Sequence, residues 1–158
     1  GDCWETRVGD VGTGQAIGQA QMREGRGGYE VVSSYADLGL SKTYVLRPDV
    51  IDVQIGTRNV SGVLSERIPL LLRATDTIHV DYGKCSASGT SSRVLGLVTK
   101  SLAIERAGRM ILRFDLGAPV QASVKCSADR DGAIPALFTF KLAPIYFSRS
   151  GYKVFLDA

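Results

Sequence analysis

Histidine is almost absent from this sequence, since His79 is the single one among 158 residues. A Ser-His-Asp or Cys-His arrangement would therefore have to use His79 as its base. Asp81 would share a strand face with His79, but a neighbour two residues along one strand does not orient an imidazole as a triad carboxylate does. The GxSxG nucleophile pattern is missing as well. We therefore predict that the protein is not an enzyme.

Metal ligands and cofactor motifs are also scarce. The three cysteines form neither a CxxC pair nor a Cys/His spacing typical of zinc. The glycine-rich segment 9–17 lacks the third glycine of a GxGxxG fingerprint, and the sequence has no Walker lysine. The sequence therefore predicts no cofactor and no transition-metal site.

One stretch, KCSADRDGAIP at residues 125–135, superficially matches a calcium-binding loop. Ser127, Asp129, Asp131 and Gly132 fall at loop positions 1, 3, 5 and 6, but position 12 is Phe138 instead of a bidentate carboxylate. Asp-Gly is a strong signal for a two-residue hairpin, because both residues tolerate positive φ. The stretch therefore predicts a turn between two strands.

Neither charge nor hydrophobicity is concentrated in one part of the chain. The net charge is only +3 and the two signs are interspersed, whereas nucleic-acid-binding domains more often carry a basic stripe. No apolar run approaches the roughly 20 residues that cross a bilayer as a helix. We expect no nucleic-acid partner and no membrane span.

Alternation with a period of two residues is the dominant pattern. In residues 76–82, Ile78, Val80 and Tyr82 would face one side of a strand, and in residues 136–142 Phe138 and Phe140 would do the same. Similar segments recur roughly every 8–12 residues with turn signals between them. The sequence predicts an all-β fold, an immunoglobulin-like or jelly-roll β-sandwich.

The first 28 residues differ from the rest in composition. Glycine is frequent there and apolar residues are few, which raises the entropic cost of ordering the backbone. We expect a glycine-rich irregular arm over residues 1–28, followed by a single sandwich domain over residues 29–158. At the other end, residues 152–156 alternate as a terminal strand, and we expect that strand at a sheet edge.

The cysteines bear on the cellular compartment. Cys85 and Cys126 each lie in a turn-like context at the end of a strand-like run. We expect them to form a disulfide, which would place the protein in a secreted, periplasmic or cell-surface location. This pairing leaves Cys3 without a partner. Cys3 is then free, pairs with a cysteine outside this chain, or takes the place of Cys85 or Cys126 in the disulfide.

Only one surface is nominated for binding. Arg23, Arg26, Tyr29 and Tyr35 lie close together in sequence and combine charge with aromatic area, as binding surfaces often do. The alternative interpretation of these four residues is an ordinary loop and part of the core.

These absences favour a binding or structural module over a catalyst. By analogy with exported bacterial β-sandwiches, we expect a surface-assembly protein such as a pilus (fimbrial) subunit or adhesin domain. Its partner would be a protein bound by β-strand addition or a cell-surface ligand. Two alternatives remain: a monomeric periplasmic or secreted small-ligand-binding or inhibitor-like β-domain, and a hydrolase whose carboxylates only the fold brings together.

Overall fold

The computed structural model describes residues 3–16, 18–25, 27–58, 60, 62–146 and 148–157, with the backbone alone for residues 145 and 146. Short 3₁₀ helices span Thr13–Gln15, Ala36–Leu38 and Ser88–Thr90. The strands are β1 (Glu5–Val8), β2 (Val11–Gly12), β3 (Gln19–Gly25), β4 (Gly28–Tyr35), β5 (Leu40–Leu46), β6 (Val50–Thr57), β7 (Leu64–Arg73), β8 (Thr77–Val80), β9 (Gly83–Ser86), β10 (Val94–Arg106), β11 (Arg109–Cys126), β12 (Ala133–Lys141), β13 (Pro144–Tyr146) and β14 (Arg149–Leu156).

All strand pairs are antiparallel and join into one sheet with the order β2-β1-β7-β12-β11-β14-β6-β5-β4-β3. Three further pairings branch from this path: β10 joins β11 and β8, β9 joins β8, and β13 joins β14. The prediction of an all-β fold is confirmed. The finer prediction of an immunoglobulin-like or jelly-roll sandwich is not confirmed.

The sheet is strongly curled. Four strands separate β5 from β7 in the sheet order, yet the Lys42 Nζ on β5 lies 3.4 Å from the Glu66 Oε2 on β7. Trp4, just before β1, likewise meets Tyr44 of β5 edge-to-face with ring centroids 5.5 Å apart. Side chains on the concave face therefore close the structure across its interior.

Aromatic rings form the centre of the core. Phe114, Phe138, Phe140 and Tyr152 pack in a continuous row across β11, β12 and β14, with successive ring centroids 5.4, 5.0 and 5.1 Å apart. All four are at most 4% exposed. Strand alternation sends these residues to one face, so the predicted inward orientation of Phe138 and Phe140 is confirmed.

β11 changes its neighbour halfway along its length. Residues 112–115 pair with β14, whereas residues 122–126 pair with β12. Gly117 lies between the two regions and has a φ of 79°, which favours glycine because it has no Cβ. Pro119 also lies there and has no N–H to donate to a neighbouring strand. β10 stays paired with β11 on both sides of this change.

The two ends of the chain differ from expectation. The glycine-rich arm predicted for residues 1–28 is not confirmed, because β1 and β2 form one border of the sheet and β3 forms the other. The expectation that residues 152–156 lie at a sheet edge is wrong. They belong to β14, which is hydrogen-bonded between β11 and β6 and buries Tyr152 and Val154.

The Asp131-Gly132 hairpin is confirmed. Both residues have positive φ, 53° and 87°, and the Arg130 and Ala133 backbones exchange hydrogen bonds of 2.9 and 3.1 Å across the turn. The Gly132 N–H also donates to the Asp129 Oδ1 at 2.7 Å. The carboxylate that resembled a calcium ligand therefore holds the turn.

Adjacent leucines on β7 test whether successive side chains of a strand point to opposite faces of the sheet. Leu72 is 2% exposed and Leu71 is 69% exposed. We expect Leu72→Ala to lower the free energy of unfolding by about 2–5 kcal/mol. The matched variant Leu71→Ala should change it by roughly 0.5 kcal/mol or less. Urea denaturation of both variants measures this, and equal losses would contradict the assigned faces.

Candidate strand-docking edge

The residues nominated for binding do not form one surface. Arg23 lies on β3 opposite Glu30 and forms an ion pair with it at 2.7 Å. Tyr29 and Tyr35 both lie on β4, at positions that alternate with Glu30 and so point to the other face. Arg26 lies outside the described residues. The structure therefore does not bring Arg23 together with the two tyrosines.

The cysteines are free thiols in the structure, so the predicted bond between Cys85 and Cys126 is not formed there. Cys126 is buried at the end of β11, and its sulfur accepts a hydrogen bond from the Thr90 hydroxyl at 3.4 Å. Burial, with a contribution from the nearby Cys126, raises the pKa of the Cys85 thiol. A raised pKa leaves less of the reactive thiolate, which slows oxidation of the pair.

A buried polar cluster lies where the curled sheet closes, and sequence reasoning missed it. Glu66 accepts hydrogen bonds from the Thr6 hydroxyl at 2.6 Å, from the Lys42 ammonium at 3.4 Å, and from the Tyr152 hydroxyl. The Trp4 Nε1 donates to the same tyrosine oxygen at 2.8 Å. The cluster thus joins β1, β5, β7 and β14.

The cluster resembles a catalytic constellation in its shifted pKa values, but solvent does not reach it. Burial raises the pKa of Glu66 against the opposing effects of Lys42 and the hydrogen bonds from Thr6 and Tyr152. Burial and then the Glu66 charge raise the pKa of Tyr152 well above its ordinary value. The Lys42 and Glu66 side chains are only 1% and 0% exposed. These groups satisfy one another in the interior, which is a structural role.

A shallow groove on the convex face has two carboxylates, one on each side of a lysine. Asp52 on β6 and Asp115 on β11 both lie opposite Lys153 of β14, which stands between them. The groove has a volume of about 390 Å³ and is also lined by Gly117 and Pro144. Opposite charges on neighbouring strands are common stabilising pairs on a solvated face. Among the described residues, no group of three or more His, Cys, Asp and Glu could hold a metal ion.

The most unusual feature is an open edge of β10. β8 pairs with residues 102–105 of β10, and β11 pairs with β10 along its other side. Within the part of the chain that the structure describes, no strand pairs with residues 94–99 on the β8 side. We call residues 94–98 the β10 edge.

Asp81 ends the β8 pairing at this point. Its carboxylate accepts hydrogen bonds from the Lys100 N–H at 2.7 Å, the Ser101 N–H at 3.2 Å and the Ser101 hydroxyl at 3.0 Å. Burial disfavours the charged carboxylate, but the hydrogen bonds together hold the pKa of Asp81 below its usual value. The irregular register between Thr99 and Ser101 lies beside this cap. The cap therefore separates the covered part of β10 from the uncovered part.

The backbone of the β10 edge directs alternate polar groups away from β11. The Cys126 N–H donates to the Arg93 carbonyl at 2.9 Å, so the next pair, Val94 and Lys125, is a non-hydrogen-bonded pair. Such pairs then alternate along the ladder. Val94, Gly96 and Val98 consequently point their N–H and C=O groups outward.

The side chains at the same three positions are also exposed. Val94 and Val98 are 63% and 61% exposed, and Gly96 is open to solvent. The segment from Val94 to Val98 carries no charge, although Arg93 and Lys100 flank it. Natural edge strands usually carry charges that prevent pairing, as β3 does with Arg23 and Glu24. The β10 edge lacks that protection.

Comparison with known proteins finds no family model and no curated protein that matches this chain. No helix among the described residues is long and apolar enough to cross a membrane. The functional argument therefore depends on the residues themselves. The β10 edge is the candidate site because it combines unpaired backbone, exposed valines and an absence of charge.

The structural role of the buried cluster is testable by a double-mutant cycle. Removing one partner of a buried ion pair leaves an uncompensated charge, so Lys42→Met and Glu66→Gln should each lower the free energy of unfolding by about 3–5 kcal/mol. The double variant should recover most of that loss. Arg109→Met, which removes an exposed ion pair with Asp157, is the control and should change it by about 1 kcal/mol or less. Additive losses in the double variant would contradict the coupling.

Proposed function

We propose that this chain is a non-enzymatic protein-binding module that accepts an extended segment of a partner protein as an added strand along β10. The observation that carries the proposal is the β10 edge, where Val94, Gly96 and Val98 present outward N–H and C=O groups beside exposed apolar surface. In strand addition, the main chain supplies affinity and alternate side chains supply specificity.

The expected partner segment follows from the chemistry of this edge. Each of the outward backbone hydrogen bonds contributes about 0.5–1.5 kcal/mol net. Small β-branched side chains would pack against Val94 and Val98 on their exposed face. Because exposed Arg93 immediately precedes the β10 edge, a carboxylate of the partner near Arg93 would complete the match.

The proposed setting is an exported bacterial surface assembly, with the chain serving as a pilus subunit or adhesin domain. The support is the combination of a nearly all-β fold with an uncharged open strand edge, which suits assembly by strand addition. The alternative of a small-ligand-binding domain draws on the groove of Asp52, Asp115 and Lys153, whose charges would suit a small zwitterion.

A synthetic peptide tests the docking proposal directly. The probe alternates valine and threonine, ends in glutamate and carries blocked termini. We expect it to bind the full chain, with an affinity that Gly96→Pro lowers roughly fivefold or more because one outward N–H is lost, about 1 kcal/mol. Isothermal titration calorimetry measures both affinities.

Two controls separate strand addition from simple apolar contact. Leu71→Lys alters an equally exposed apolar residue on β7, outside the β10 edge, and should leave the peptide affinity unchanged. Only every second amide of the added peptide faces β10. N-methylation of those amides should abolish binding, whereas N-methylation of the intervening amides should leave it intact. If both methylated peptides bound equally well, strand addition would be ruled out.

A further inference from the structure

The β10 edge has a palindromic sequence. Val94-Leu95-Gly96-Leu97-Val98 reads the same in both directions, and Gly96 is its centre. In an antiparallel pair the two strands run in opposite directions, so a palindromic strand presents an identical partner with its own sequence. Two-fold symmetric interfaces require this kind of self-complementary patch.

We propose that the partner strand is the β10 edge of a second copy of this chain, giving a symmetric dimer with one sheet continuous across both copies. The inference rests on the proposed function, because it uses the same edge. Val94 would lie opposite Val98 of the second copy, and the two Gly96 residues would meet at the two-fold axis. The outward groups of these residues then pair fully, with three N–H donors from each copy.

The ends of the edge fit this arrangement. In that register Arg93 lies opposite Thr99 of the second copy, and the next position is the place where Asp81 of that copy caps its own Lys100. The first copy does not run into this cap, because Ser92 has a φ of 58° and the Arg93 N–H turns back to the Thr90 carbonyl. Asp81 of the second copy thereby supplies the carboxylate that exposed Arg93 lacks among the described residues.

Glycine at the centre keeps the two-fold axis uncrowded. A Cβ built on Gly96 meets no atom within 4 Å inside the chain, so packing within one copy does not require glycine at this position. Glycine in a strand interior often marks a place where another backbone approaches closely. In a two-fold symmetric pair, each copy's β10 edge is occupied by the other copy. This contact therefore produces closed dimers and not fibres.

Sedimentation velocity of the full chain tests the dimer. We expect a concentration-dependent dimer in the unmodified protein. Val98→Lys places a charge at both ends of the pairing, so we expect the dimer dissociation constant to rise roughly a hundredfold, about tenfold for each of the two symmetric sites. Leu71→Lys is the matched control and should dimerise like the unmodified chain. Circular dichroism confirms that each variant is folded.

The register is tested by cross-linking. In a Cys3→Ser background, Gly96→Cys should form a disulfide between copies, because directly opposite residues of a hydrogen-bonded pair have Cα atoms about 5.5 Å apart. Leu71→Cys in the same background should stay uncross-linked. A dimer that Val98→Lys does not weaken, or that links through position 71 instead of 96, overturns the proposed interface.

The outcomes also separate this inference from the proposed function. A chain that stays monomeric yet binds the alternating peptide overturns the self-pairing and leaves strand docking intact. A chain that neither dimerises nor binds the peptide overturns both.

Discussion

β11 is the constraint on which the rest of the sheet depends. It spans Arg109–Cys126, and its change of neighbour from β14 to β12 near Gly117 lets one strand serve both regions of the curled sheet. The aromatic row follows from this arrangement, because Phe114 faces inward from the first half of β11 and meets Phe138 of the neighbouring β12. Without this change of neighbour, the strands that carry the aromatic core and the buried Lys42–Glu66 pair would not be brought together.

The open edge is a consequence of the same strand. β10 follows β11 through both halves, whereas β8 reaches only residues 102–105 and ends where Asp81 caps Lys100 and Ser101. The hairpin of β10 and β11 therefore extends beyond β8. The same cap that ends β8 also fixes the length of edge available to a partner. The availability of the site thus originates in the unequal lengths of β8 and β10.

Local patterns in the sequence predicted local structure well. Alternation placed Phe138 and Phe140 inside, and Asp131-Gly132 marked a turn whose positive φ values the structure confirms. Pairing between distant strands was not predictable, because it depends on contacts between segments far apart in the chain. For that reason residues 152–156 were expected at an edge and lie in the middle of the sheet. In residues 94–98, the absence of charged side chains is the one sequence signal that this strand edge is unprotected.

Amide hydrogen exchange of β10 tests the central claim that this strand has one open side. The measurement is best made on the Val98→Lys variant, in which the proposed self-pairing is weakened. The N–H groups of Leu95 and Leu97 bond to β11, whereas those of Val94 and Gly96 point outward. The account predicts that Val94 and Gly96 exchange at least about a hundredfold faster than Leu95 and Leu97. Equal protection of all four amides would show that the edge is covered by the chain itself and would contradict the account.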